Sequence, residues 1–127
     1  MDRPTRLDPR YVNRRIKLPY GFKAEEVEEA VAETYRLFHG LNDYLESDGF
    51  RPLEELLLGN SLSGILSELL VKNIARVSST IEANLKVGGH PDLLPKGRYP
   101  SNLVLKGNEG IEVKVFDPER RLARPQS

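Results

Sequence analysis

The chain contains no cysteine, which excludes disulfides, thiolate catalysis and zinc–cysteine sites. Long apolar runs are also missing. None exceeds three residues, so neither a transmembrane helix nor a signal-peptide core is expected, and the reading is a soluble, cytoplasmic protein with no membrane partner. Excess charge is absent as well: Lys plus Arg and Asp plus Glu each number 19, and the overall balance neither suggests nor excludes a polyanionic partner. There is no internal repeat and no low-complexity tract. At 127 residues the chain suits one domain, long enough to bury about two thirds of the unfolded surface.

The distribution of charge is uneven. Residues 1–23 carry seven basic and two acidic side chains, residues 24–72 three and eleven, and residues 73–127 nine and six. Residues 1–21, with Pro4, Pro9, Pro19 and Gly21 among Arg3, Arg6, Arg10, Arg14, Arg15 and Lys17, show no sustained period and read as a basic arm. Such an arm either contacts nucleic-acid phosphates, or it is a solvated tail or a segment docked on the acidic middle of its own chain. A body over residues 22–116 and a flexible tail over 117–127 complete the expected organisation.

From Ala24 to Leu41 the positions Val27, Ala30, Val31, Thr34, Tyr35, Phe38 and Leu41 fall on one helical face. Glu25, Glu26, Glu28 and Glu29 crowd the start of this helix, where carboxylates suit the positive end of the dipole, and His39 before Gly40 reads as a C-terminal cap residue. Ser47-Asp48-Gly49 signals a turn and Pro52 opens a short helix from Leu53 to Leu58. Asn60 or Ser61 is expected to cap a core helix reaching about Ser78, with Leu62, Ile65, Leu66, Leu69, Leu70, Asn73, Ile74 and Val77 inward.

Thr80 to Val87 alternates as a half-buried strand should, and Gly88-Gly89 turns the chain. Asp92-Leu93-Leu94 begins the next extended piece. The basic connection Pro95 to Pro100, with Tyr99, either touches a phosphate and a base or is an ordinary solvated loop. Leu103 to Leu105 is a short strand, Gly107 to Gly110 a turn, and Ile111 to Phe116 a strand that carries Glu112 and Lys114. Asp92 follows a proline, and Glu112 and Lys114, two apart, share one strand face. Two carboxylates and an ammonium therefore have the means to meet at one point. Carboxylate oxygens are what Mg²⁺ and Mn²⁺ prefer, and the lysine is placed to hold a water or charge developing on a phosphate. His90 beside Pro91 is either a metal or phosphate contact or structural.

Pro91-Asp92 followed by Glu112-Val113-Lys114 resembles the PD-(D/E)xK nuclease superfamily, the restriction-endonuclease-like fold. The resemblance spans about residues 60–116 and implies an α+β fold: N-terminal helices followed by a three-stranded antiparallel meander, the first half of the nuclease core. It implies metal-dependent hydrolysis of DNA, with Mg²⁺ or Mn²⁺ held by Asp92, Glu112 and the backbone carbonyl of Val113, and with Lys114 orienting the attacking water. In the family the helix before the first core strand often contributes a glutamate, and Glu68 matches that position; its alternative is a surface pair with Lys72.

The family fold continues past the Glu-x-Lys strand with a second helix and further strands, whereas here Asp117 to Ser127 follow, with Pro118 and Pro125 and no apolar period. The expectation is a truncated core: a fragment of a longer enzyme, the product of a truncated or frameshifted gene, or a reduced module whose exposed sheet edge is covered by a second copy or a partner. Two other readings stand beside the nuclease. One is an inactive nuclease-like module that binds nucleic acid or protein. The other is an ordinary α+β domain on which Glu112 and Lys114 point away from Asp92.

Overall fold

The computed structural model describes residues 3–11 and 17–115. Residues 12–16 of the arm, Phe116 and the tail 117–127 lie outside the described residues.

Helix α1 spans Ala24–Ser47. Glu26 shows that the acidic first turn does more than match the dipole. One of its carboxylate oxygens accepts the Lys23 N–H at 3.0 Å and the other the Ser79 N–H at 3.2 Å, tying the start of this helix to the segment that leaves the next long one. The helix also runs past its expected end. His39 and Gly40 lie inside it, so His39 is not a cap: its Nε2 meets the Pro4 carbonyl at 2.5 Å and its ring stacks on Tyr35. The chain turns only after Asp48, at Gly49 with φ of 87°.

Buried Asn42 explains how the next element starts. Its Oδ1 accepts the Leu53 N–H at 2.7 Å and its Nδ2 donates to Glu54 at 2.9 Å, capping α2 (Leu53–Leu56), which stops short of the expected Leu58. Helix α3 (Gly59–Val77) starts earlier than a cap at Asn60 or Ser61 implies, with Leu58 at the cap position and no side-chain cap bond from it.

Helices α1 and α3 pack along each other, with Ala30, Val71, Asn73 and Ile74 buried between or beside them. Asn73 is 1% exposed; its Nδ2 donates to the Thr34 hydroxyl at 3.0 Å, while its Oδ1 has no partner among the described residues. An unpaired buried acceptor costs about 1–3 kcal/mol. The Thr34 hydroxyl keeps its own bond to the Ala30 carbonyl when the amide is removed. Asn73→Leu is therefore expected to stabilise the fold by about 1 kcal/mol, read as a higher denaturation midpoint; a lower midpoint would contradict this account of the position.

The sheet has two strands among the described residues. β1 (Ile81–Ala83) pairs antiparallel with β2 (Leu93–Pro95), Ile81 opposite Pro95 and Ala83 opposite Leu93. Of the expected three-stranded meander, the segment 111–115 joins through one bridge, where Leu93 and Ile111 exchange hydrogen bonds of 3.0 and 2.9 Å. Leu103–Leu105 is not a strand, and the long strand expected to Val87 ends at Ala83. Asn84 is the physical reason. Its side chain bonds backbone groups of Lys86, Pro91 and Val104, and such local bonds compete with a ladder. The fold is thus α+β, helices followed by a two-stranded antiparallel sheet.

Phe22, Ala30, Val71, Ile74, Ile81, Ala83 and Leu93 form the core, with Ile111 and Val113 packed against it. Alternation along 111–115 then turns Glu112 and Lys114 to the exposed side. No described helix is long and apolar enough to cross a membrane.

The described part of the arm docks on the chain itself. Leu18 and Tyr20 pack against the core, and Arg3 reaches α1 to bond both carboxylate oxygens of Asp43, at 2.7 and 3.2 Å. That hydrogen bond holds the Asp43 carboxyl below its ordinary value of 3.8. A carboxylate with a lowered pKa adds stability that is present above the ordinary value and lost as pH falls through the lowered one. Arg3→Ala should therefore raise the Asp43 titration midpoint, followed by NMR of its side-chain carboxyl; an unchanged midpoint would show that the pair does not form in solution.

Candidate functional site

Asp92 precedes β2, directly after Pro91 and before fully buried Leu93. Glu112 follows Ile111, which is bridged to that same Leu93. The short ladder thus sets the two acidic residues side by side, and they clasp. The Asp92 N–H donates to Glu112 Oε1 at 3.1 Å, and the Val113 N–H donates to Asp92 Oδ2 at 2.9 Å. Glu112 therefore does not point away from Asp92.

His90 joins from the other side, its Nδ1 3.1 Å from the same Glu112 Oε1. Its side chain is 67% exposed and that of Glu112 37%, so the cluster is open to solvent. The remaining oxygens, Asp92 Oδ1 and Glu112 Oε2, take no hydrogen bond among the described residues. Lys114 is exposed, with no ion pair among the described residues. Glu68 is exposed on α3, and no described bond links it to Asp92, to Glu112 or to Lys72. Among the described residues no three His, Asp or Glu side chains gather closely enough to hold a metal ion. The structure brings Asp92 and Glu112 together, with the Val113 N–H bonded to the Asp92 carboxylate and His90 to the Glu112 carboxylate.

Beside the clasp lies an open hollow of about 330 Å³, bounded by His90, Pro91, Glu112 and the loop from Gly107 to Gly110. The loop's shape is held from two directions. The Tyr99 hydroxyl donates to Asn108 Oδ1 at 3.2 Å and accepts the N–H groups of Asn108 and Glu109 at 3.1 Å, while Tyr20 OH accepts the Gly110 N–H at 3.0 Å. Arg98 pairs with Glu109 at 2.9 Å. Of the basic connection offered for phosphate and base contact, Arg98 and Tyr99 are thus engaged in building this loop.

Sequence reasoning missed Asn84. It stands on the polar face of an expected strand, yet all of its amide's bonding capacity serves the site: Nδ2 donates to the carbonyls of Pro91 and Val104 at 3.0 and 2.8 Å, and Oδ1 accepts the N–H groups of Lys86 and Val104 at 3.1 and 3.2 Å. The available signal was asparagine's poor fit to a strand interior. His90's bond to Glu112 had no signal beyond its place beside Pro91.

No family model, no curated protein and no solved structure matches the chain. The functional reading rests on these residues and their chemistry.

Proposed function

We propose that the chain is a divalent-metal-dependent endonuclease hydrolysing phosphodiester bonds of DNA. The observation that carries the reading is the clasp: Pro91-Asp92 and Glu112-Val113-Lys114 meet across one bridge, each carboxylate keeping one oxygen without a described partner. The residues fit the ion, since Mg²⁺ binds through one or two carboxylates and keeps several waters. Asp92 and Glu112 would hold it, with the Val113 carbonyl beside them. Such an ion supplies an acidified water and neutralises phosphate charge.

The chain's own part follows from placement. Lys114, on the same side of the 111–115 segment as Glu112, offers an ammonium that orients the attacking water and offsets charge in the transition state. Glu68 is the candidate for a second metal or water. Helix α3, β1, β2 and the 111–115 segment follow the order of the first half of a restriction-endonuclease-like core, and the outer edge of that segment suits a second copy or a partner.

A second reading, an inactive nuclease-like module, is favoured by the same two carboxylates each already accepting a backbone N–H. Incubating plasmid and single-stranded DNA with the purified chain and Mg²⁺ or Mn²⁺ separates the two. The nuclease reading predicts nicking that a chelator abolishes. Salt-sensitive DNA binding without cleavage, from a folded sample, would give the inactive module the better claim.

A further inference from the structure

We infer that the elbow joining α1 to α3 is a docking surface for a cationic amphipathic helix of a protein partner. This inference is independent of the reading of the Asp92–Glu112 site. The elbow, residues 41–58, exposes five large apolar side chains: Leu41 and Tyr44 at the end of α1, Phe50 after the turn, Leu56 on α2 and Leu58 before α3. Tyr44 is 73% and Leu58 86% exposed. Asn42 folds the elbow back on α1 by capping α2, and the Phe50 N–H bonds the Leu45 carbonyl at 2.8 Å, so these side chains are displayed on a braced support.

Charge identifies the occupant. Asp43, Glu46, Asp48, Glu54 and Glu55 lie in the same stretch; Arg3 of the arm pairs with Asp43 and Arg51 with Glu55, which leaves Glu46, Asp48 and Glu54 with no ion pair among the described residues. An anionic membrane or a nucleic acid is repelled by this rim. A second copy would bring an equally acidic elbow to the contact. A purely apolar partner would strip water from carboxylates and leave them unpaired, which is costly. A helix with leucines on one face and lysines or arginines beside them answers both features. The elbow has no strand in it, so main-chain pairing is closed and recognition proceeds by side-chain knobs at helical spacing.

The test titrates the isotopically labelled full chain with a synthetic helix of about eighteen residues, five turns, built from Leu and Lys at amphipathic spacing, and with its Leu/Glu counterpart. Amide shifts should centre on residues 41–58, and the Leu/Glu peptide should not bind. The double variant Tyr44→Ser, Leu58→Ser keeps every carboxylate and touches no core residue, and should weaken binding at least tenfold, the loss expected of interface anchors. Leu85→Ser with Val87→Ser, at exposed apolar positions outside the elbow, should leave binding unchanged. Equal binding by the elbow variant, shifts centred elsewhere, or binding of the Leu/Glu peptide would overturn the inference. So would a dimer in light scattering that the elbow variant disperses, which would assign the surface to a second copy.

Discussion

Replacing Asp92 by asparagine should lower Mg²⁺-dependent DNA cleavage about a hundredfold or more, the scale on which metal sites and charged transition states respond to losing a key group. The substitution is chosen to separate charge from scaffolding. Asparagine keeps an oxygen for the Val113 N–H, now bonded at 2.9 Å, so the clasp survives while the anionic ligand is lost. Asp92→Ala removes both, and part of its effect would come from an unpaired amide. Lys114→Ala should also depress cleavage, yet leave thermal stability unchanged, because Lys114 is exposed and unpaired among the described residues. Cleavage by Asp92→Asn at the wild-type rate would remove the site.

The second large effect concerns stability, and its centre is Gly110. This residue has φ of 144° and directs its missing side chain at the Pro91 ring and the Leu93 carbonyl. A methyl group there is strained by the backbone and blocked by its neighbours. Positive-φ strain costs about 1–3 kcal/mol and forced overpacking about 1–3 kcal/mol more, so Gly110→Ala should destabilise by about 3 kcal/mol. The damage is directed. Gly110 immediately precedes the Ile111 bridge and lends its N–H to Tyr20, so a methyl group pries the Glu112 segment from β2. Urea denaturation should show the lower midpoint, and amide exchange should be fastest at 111–113. Wild-type stability in Gly110→Ala would mean that the 107–112 loop is not packed as described.

The same residues show what could be read from sequence. Both long helices were legible, because their apolar positions recur at helical spacing and burial enforces it. The end of α1 was not, because Gly40 is a stop signal only where the chain has somewhere to turn. Here Asn42, buried and capping α2, carries the helix on to Ser47. Alternation from Thr80 to Val87 promised a long strand, but Leu85 and Val87 are exposed, since Asn84 diverts the backbone with four side-chain bonds. Periodicity reports which side chains are apolar. It does not report whether a neighbouring strand exists to cover them.

Of the candidate site, Pro-Asp and Glu-x-Lys gave Asp92 and Glu112 the means to meet, and the Leu93–Ile111 bridge is what brings them together. The manner of meeting was not legible. That each carboxylate accepts an N–H from the opposite segment, and that His90 shares Glu112 Oε1, depends on a register set by one pair of residues, Leu93 and Ile111. Glu68 illustrates the opposite case. A helix position fixes its face, yet the bond that would link it to the clasp is absent among the described residues.

Metal binding is the point on which the account turns, and it can be measured without DNA. Titrating Mn²⁺ into the labelled chain and recording amide broadening locates a bound ion directly. Broadening should begin at residues 90–93 and 111–114, be reversed by excess Mg²⁺, and be lost in Asp92→Asn. Broadening confined to the glutamates that open α1, or none at the clasp, would contradict a metal site at Asp92 and Glu112 and remove the basis for a nuclease.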